Sequence, residues 1–303
     1  MKADDCTLEP QQLAEIKKQA NKALLQAGAY GVFPTPVTQV MASASVILAP
    51  EDAFEDGLIE AFRKKFKGKV DLIKKALSKV FGVLDAVARI AYIDSALPIV
   101  KQTFLKLHET AHAFLPWQRE IYCVVEDCEK TIDPDIAESF DREANVFASE
   151  ILFQGDFFSQ EANGYDFGIN VPLKLGKKYG SSAYSAIRRY VNNNHRSCAV
   201  LVLNPPTPLI IHGFISTVRR VVTSTEFDRT IGKIVWLDFY SPDDDIGKMI
   251  PVGKYRMSGK RTLALKDSNG NVHECIAESF KTPYQVFILI LPIEKLTKKI
   301  IIF

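Results

Sequence analysis

The most informative segment of the chain is SALPIVKQTFLKLHETAHAFLP, which spans residues 95–116. Ser95 is a suitable N-cap, Pro98 is tolerated within a first helical turn, and Pro116 ends a helix. These residues therefore predict one helix that runs through Leu115. Apolar side chains surround its second half, which predicts a buried or half-buried face, and they are Phe104, Leu105, Ala111 and Leu115.

This helix carries an HExxH motif formed by His108, Glu109 and His112. Residues four apart share one face of an α-helix, so the two imidazoles point in the same direction. That spacing suits a zinc ion, and the glutamate beside the first histidine is placed to act as a general base. Because two histidines on an apolar face need polar partners, a metal site is favoured over two histidines that bind nothing.

A second helix, predicted over 136–152, offers the third protein ligand that a catalytic zinc needs. Glu143 lies on the apolar face of this helix, where an unpaired carboxylate is costly to bury. Two histidines and a glutamate are a usual ligand set, so Glu143 is the preferred candidate. Glu138 and Glu150 remain as rivals, and pairing of Glu143 with a nearby arginine is the structural alternative.

Two segments carry a resemblance to a known family. HETAHAFL at 108–115, followed by EANVFASEILF at 143–153, resembles the IrrE/ImmA family of zinc metallopeptidase-like proteins, whose pattern is HExxH followed by E-A-N-x-F-A. RIAYID at 89–94 and the Tyr-Gly-Ser turn at 179–181 are similar to the same family. The resemblance covers about residues 13–194.

The chain departs from the family pattern in two places. The lysine-rich stretch at 51–79 is an insertion relative to compact members, and Phe153-Gln154-Gly155 replaces the usual Met-Pro ending. The first departure bears on the choice of partner. The second is expected to matter little for zinc.

The resemblance implies a zincin-like (gluzincin) metallopeptidase domain with one zinc per chain, Mn²⁺ being the alternative ion. It assigns His108, His112 and Glu143 as ligands and Glu109 as the general base, with peptide hydrolysis as the reaction. Elementary chemistry agrees with these roles, because zinc activates water and polarises a carbonyl while a neighbouring base takes the proton. Asn145 is predicted to support the site from outside the ligand set.

A strand close to the motif is expected to align an extended peptide substrate by adding it to the sheet as a further strand. The segment at 89–94 is the candidate, through Ile90 and Tyr92, with a purely structural strand as the alternative. The donor that stabilises the oxyanion stays open among four side chains, namely Tyr165, Tyr179, Tyr184 and His195.

The resemblance also implies a partner, because family members cleave or antagonise a helix-turn-helix repressor and thereby release stress or mobile-element genes. Two alternatives belong to other classes: a metal-binding regulator that sequesters a repressor without cutting it, and a DNA-binding transcription factor. DNA binding would use 172–196, which holds six basic residues and no acid. A protein substrate is the preferred expectation, and no membrane is expected as a partner.

The pattern along the chain predicts an α+β fold with three domains. Residues 1–155 form the metallopeptidase-like domain, 156–198 a helical unit of the helix-turn-helix type, and 199–303 a β-rich domain. The last domain is rich in apolar strand-like runs, with Asn269-Gly270 as a hairpin turn. Its position in the chain suits a sensor domain of the GAF-like type.

Composition limits the classes of protein further. The 303 residues carry a formal net charge of +2, which excludes a general polyanion binder. Residues 63–79 nevertheless hold eight basic residues and one acid, so the small net charge is the sum of basic and acidic patches that cancel. Five cysteines favour a reducing compartment, and the spacing of Cys123 and Cys128 is a weak case for a second metal site. The N terminus lacks a signal-peptide pattern and no apolar run suits a membrane helix, so a cytoplasmic protein is expected.

Overall fold

The structure, a computed structural model, describes residues 8–50, 82–85, 88–127, 134–209 and 213–293. They divide into two compact units. The N-terminal unit comprises the described residues up to 158 together with 175–182, and the C-terminal unit comprises 159–174 and the described residues from 183 onward. The predicted α+β class is confirmed, because the first unit is mainly helical and the second is built on a β-sheet.

The described helices and strands have the following bounds. The helices are α1 (Pro10–Gln26), α2 (Val37–Ser43), α3 (Ile99–Phe114), α4 (Pro116–Asp127), α5 (Pro134–Phe153), α6 (Phe157–Asn163), α7 (Asn170–Lys178), α8 (Ala183–Asn192) and α9 (Thr225–Thr230). The strands are β1 (Ile47–Leu48), β2 (Gly82–Asp85), β3 (Ile90–Ile93), β4 (Ala199–Leu203), β5 (Thr207–Leu209), β6 (Gly213–Thr223), β7 (Phe239–Tyr240), β8 (Met257–Lys266), β9 (Val272–Lys281) and β10 (Val286–Pro292).

Helices α3 and α5 pack against each other and carry the two motifs of the sequence. α3 ends at Phe114, just before the predicted end, and α5 covers the helix predicted over 136–152. Leu107 of α3 and Ala144 of α5 are fully buried, and the rings of Phe114 and Phe147 lie 5.7 Å apart between centroids. The apolar stripes of the two helices therefore face each other, which directs the HExxH motif toward α5.

Strand β3 is the central strand of a three-stranded sheet with the order β1-β3-β2. It pairs with β2 along its whole length, Tyr92 lying opposite Val83, and it pairs with β1 at Ile90 and Ala91. β1 thus occupies one side of β3 at Ile90 and Ala91, and β2 occupies the other; the role of Ile90 and Tyr92 in aligning a substrate strand stays a prediction. In the part of the chain that the structure describes, β1 and β2 hold the edges of this sheet.

The C-terminal unit is built on an antiparallel sheet with the order β5-β6-β4-β10-β9-β8, and β7 pairs with β6. Strands β4 and β10 lie in its interior and are buried almost throughout, which explains their continuous apolar sequences. β8 and β9 are joined by the predicted turn, where Gly270 has a φ of +88°. The β-rich prediction for this part of the chain is confirmed.

The region 156–198 is helical as predicted and contains α7 and α8, but its residues are divided between the two compact units. Residues 175–182 belong to the N-terminal unit, whereas α8 belongs to the C-terminal unit and packs on β4 and β6. Ala186, Ile187 and Val191 are fully buried on α8, so the sheet covers the face that a helix-turn-helix unit would use for its own core. The two compact units divide this region between them, and its assignment as a domain of the helix-turn-helix type stays a prediction.

Other predictions fall on parts of the chain without a structural description. The helical stretch at 51–80 with its basic run, and Cys128 of the weak second metal site, lie outside the described residues. The side chain of Cys123 lies outside them as well.

Gln154, which stands where the resembled family has Met-Pro, ties the end of α5 to the loop after α1. Its side chain is buried, accepts a hydrogen bond from the backbone N–H of Gly31 at 2.7 Å, and donates to Ala29 O at 3.0 Å and Val32 O at 2.9 Å. It also donates to Thr35 Oγ1 at 3.0 Å. Gln154 thus provides hydrogen-bond partners for backbone groups of a loop that is not part of a helix or a sheet.

Replacing Gln154 with alanine is expected to lower the free energy of unfolding by about 2–4 kcal/mol, because several buried polar groups lose their partner. Urea unfolding followed by circular dichroism measures the change. The matched control is Gln26→Ala, which removes an exposed amide at the end of α1 and is expected to change stability by less than about 0.5 kcal/mol. Equal effects of the two substitutions would contradict this account of Gln154.

Candidate metal centre

The two histidines of the motif converge on one point. Both lie on the face of α3 that packs toward α5, with side chains 14% exposed for His108 and 8% exposed for His112. Their Nε2 atoms lie 3.2 Å apart, and the rings are nearly perpendicular, at 80°. The i,i+4 spacing of the two histidines on α3 therefore brings their Nε2 atoms face to face, as the sequence predicts.

An amide oxygen faces the other nitrogen of each imidazole. His108 Nδ1 lies 3.1 Å from Asn145 Oδ1, and His112 Nδ1 lies 2.7 Å from Gln118 Oε1. Because an amide oxygen only accepts hydrogen bonds, each Nδ1 carries a proton and donates it. When both imidazoles are neutral, each Nε2 therefore presents a lone pair, and a cation between the two nitrogens would satisfy both.

The distances fit a divalent metal ion. Two nitrogens, each bound to zinc at its usual length and at the tetrahedral angle, stand about 3.3 Å apart, close to the distance between the two Nε2 atoms. Asp141 of α5 adds a carboxylate whose Oδ1 lies 3.8 Å from His108 Nε2 and 4.0 Å from His112 Nε2. His108, His112 and Asp141 thus form a group that could hold a metal ion. Asp141 is 67% exposed, so the group opens to solvent on its side.

Glu143, the preferred third ligand at the level of sequence, does not join this group. Its carboxylate is buried and accepts hydrogen bonds from Trp117 Nε1 at 2.7 Å and from Gln118 Nε2 at 2.6 Å. Of its rivals, Glu138 pairs with Arg142 on the same helix at 4.0 Å. The carboxylate that completes the group with the two histidines is instead that of Asp141, which was not among the predicted ligands.

A signal for Asp141 was present in the sequence. Asn145, which is predicted to support the site, follows Asp141 by four residues, about one helical turn. Both side chains therefore lie on the same face of α5. Gln118 and Trp117 had no comparable signal, because their role depends on how α4 folds back after Pro116.

Glu109 is placed to act as a base beside the two histidines. Its side chain is buried, and burial raises its pKa to about 7, with the charge of Asp141 acting in the same direction. The charge of His108 and a hydrogen bond from the backbone of Leu84 on β2 oppose that shift. A carboxylate with a pKa near neutrality suits general base catalysis at physiological pH.

The surroundings distinguish the two histidines. Burial, followed by the charge of His108, lowers the pKa of His112 to about 4. Burial also acts to lower the pKa of His108, but the nearby carboxylate of Asp141 and the charge of Glu109 outweigh it, so this pKa is raised. Burial acts to raise the pKa of Asp141, and the two histidines nevertheless hold it below its usual value. The group therefore stabilises one positive charge between the histidines and Asp141.

The four candidate oxyanion donors are distributed over both units. Tyr179 lies in the N-terminal unit, where its ring is almost fully buried and packs against Phe33 and Phe158 at centroid distances of 4.4 and 5.3 Å. It is a core residue in this structure. Tyr165, Tyr184 and His195 belong to the C-terminal unit.

The basic residues at 172–196 are divided between the two units. Lys177 and Lys178 belong to the N-terminal unit, whereas the arginines belong to the C-terminal unit. Arg189 is only 8% exposed, and the guanidinium of Arg188 lies over the ring of Tyr184 at 5.4 Å. DNA binding through 172–196 stays a prediction.

Comparison with known proteins gives the fold alone. No family model and no curated protein matches the chain. Among solved structures, a Mycobacterium tuberculosis transcriptional regulator is similar over 91% of this chain and 75% of its own, with a TM-score of 0.50 and 10% sequence identity. Among the described residues, no helix combines the length and apolar character needed to cross a bilayer.

Proposed function

We propose that this protein is a metal-dependent endopeptidase of the IrrE/ImmA type, in which His108, His112 and Asp141 hold one divalent ion. Zinc is the first choice, because the donor set is imidazole and carboxylate and the nitrogens have tetrahedral spacing. The observation that carries the proposal is the pair of facing Nε2 atoms, 3.2 Å apart, beside the buried carboxylate of Glu109.

Each residue of the site has a defined task in this proposal. When bound, the ion would polarise the scissile carbonyl and activate water. Glu109 takes the proton from the attacking water and passes it to the leaving amine, as a carboxyl with a pKa near 7 can do in both directions. Asn145 and Gln118 hold the imidazole rings in the orientation that directs both Nε2 atoms at one point.

The proposed fold of the catalytic unit is zincin-like. Its support is the combination of α3 with the HExxH motif, α5 packed against it and the three-stranded sheet whose β2 contacts Glu109. The proposed substrate, a helix-turn-helix repressor, is the one that the resemblance to the IrrE/ImmA family implies. The similar M. tuberculosis structure is named for transcriptional regulation, the process that cleavage of a repressor would affect.

A cytoplasmic location belongs to the same proposal. Cys198 and Cys275 are free and buried, which suits a reducing compartment. A regulator that only sequesters its partner would have no use for a buried carboxylate beside the metal ligands, since such a group is costly to keep. Glu109 thus favours the peptidase over the non-hydrolytic regulator.

The test has two readouts. The chain is stripped of metal with a chelator and titrated with ZnCl₂ or MnCl₂ in a calorimeter, with one ion per chain as the expected result. The zinc-loaded chain is then incubated with an extract of the source cells, and new protein N termini are identified by mass spectrometry. We expect a new N terminus in a helix-turn-helix repressor that disappears with chelator. A chain that takes up neither ion would overturn the proposal.

A further inference from the structure

We infer that Glu143 is a positioning residue that acts on His112 through the amide of Gln118. Its carboxylate holds Gln118 in the one orientation that keeps a proton on His112 Nδ1 and a lone pair on Nε2. The consequence for metal binding rests on the proposed function, whereas the effect on the imidazole is a property of the metal-free chain.

The contacts of Gln118 leave its amide one favourable orientation. Gln118 is completely buried at the start of α4, and its Nε2 donates to Phe140 O at 3.2 Å and to Glu143 Oε2 at 2.6 Å. Both partners are acceptors, so a flipped amide would place its oxygen against two other oxygens. The amide oxygen must therefore face His112, where it accepts the Nδ1 proton at 2.7 Å.

Glu143 is the stronger of the two groups that impose this orientation. Its hydrogen bond to Gln118 is charge-assisted and shorter than the bond from Gln118 to Phe140 O, 2.6 against 3.2 Å. The indole N–H of Trp117, which can only donate, holds the same carboxylate oxygen at 2.7 Å. A buried carboxylate with two donors is thus fixed in place, and it fixes Gln118 in turn.

Loss of Glu143 would release the amide. With Phe140 O as the remaining acceptor, Gln118 could flip and offer an N–H to His112 Nδ1. That contact favours the tautomer with its proton on Nε2, which faces His108 Nε2 and cannot bind a metal ion. Both imidazoles are therefore controlled from α5, His108 directly by Asn145 and His112 by Glu143 through Gln118.

The first test compares Glu143→Met, which removes the acceptor and keeps the volume, with Glu143→Gln, which keeps an acceptor. Long-range ¹H–¹⁵N spectra of the metal-free chain report the ring tautomer of His112. We expect the Nδ1–H form in the wild type and in E143Q, and a substantial Nε2–H population in E143M. Calorimetry is expected to give a zinc Kd weakened about 10- to 100-fold in E143M and within about 5-fold of the wild type in E143Q.

Glu150→Met is the matched control, because Glu150 is also a buried glutamate of α5. We expect it to leave the His112 tautomer and the zinc Kd unchanged. An E143M chain that keeps the Nδ1–H form would overturn the inference. If the wild type binds no metal, the tautomer readout still decides the role of Glu143, so the two proposals fail separately.

Gln118→Met provides a second route, and it also covers the case in which E143M does not fold. It is expected to produce the same change of tautomer and of Kd as E143M. In the double variant the effects should not add, because Glu143 acts only through Gln118. A full additional loss from E143M in the Gln118→Met background would overturn the inference and indicate that Glu143 acts on the metal directly.

Discussion

Replacing Glu109 with glutamine is expected to leave metal binding within about 3-fold of the wild type and to lower peptide cleavage by about 10²- to 10⁴-fold, the usual contribution of a general base. Glutamine keeps the shape of the side chain but cannot take a proton. The Nε2 atoms of His108 and His112 and the carboxylate of Asp141 are unchanged in this variant, so the ion keeps its ligands.

Calorimetry with ZnCl₂ and the appearance of the new N terminus measure the two quantities separately. Glu120→Gln is the control, because it makes the same substitution at an exposed position on the neighbouring helix α4. We expect E120Q to match the wild type in both assays. Cleavage by E109Q at the wild-type rate would exclude Glu109 as the base and leave the non-hydrolytic regulator as the better description.

Replacing Asp141 with alanine is expected to weaken zinc binding on the order of 100-fold, since one of three protein ligands is lost. The free energy of unfolding should stay within about 0.5 kcal/mol of the wild type, because the side chain is 67% exposed. A weaker zinc affinity together with an unchanged free energy of unfolding would identify Asp141 as a metal ligand and not as a residue that stabilises the fold.

Glu138→Ala removes another exposed acid from the same helix, three residues earlier, and controls for a general loss of negative charge near the site. Its zinc Kd should equal that of the wild type. Equal affinities of the Asp141 and Glu138 variants would remove Asp141 from the ligand set. A large loss in E143Q alongside an unchanged Asp141→Ala would return Glu143 to the position that the sequence first suggested.

The difference between Asp141 and Glu143 illustrates what periodicity can and cannot specify. Burial on the apolar face of α5 was a correct property of Glu143, but it did not identify the partner of the carboxylate. Two residues that are two positions apart on an α-helix are separated by a rotation of about 200° around its axis, so the side chains of Asp141 and Glu143 point in different directions. The exposed Asp141 lies next to the two histidines. The buried Glu143 instead accepts hydrogen bonds from Trp117 and Gln118 of α4.

Strand pairing shows the same limit. The alternation in RIAYID predicted a strand at 89–94 correctly, but alternation carries no information about whether a strand is central or at an edge. β3 is central because β2, its neighbour in the sequence, pairs with it on one side and β1, from much earlier in the chain, pairs with it on the other. Likewise, the helical prediction for 156–198 did not show that one face of α8 is covered by the sheet of the C-terminal unit.

Sequence alone was sufficient to predict the helix that carries HExxH, the convergence of His108 and His112 on one face, the glutamate beside them and the β-rich C-terminal unit. These features depend on residues close in the chain, where helix and strand geometry leave few choices. Only the tertiary structure decided which carboxylate meets the histidines and which amide holds His112. Those contacts join α3, α4 and α5, and their geometry depends on how the helices pack rather than on any local pattern.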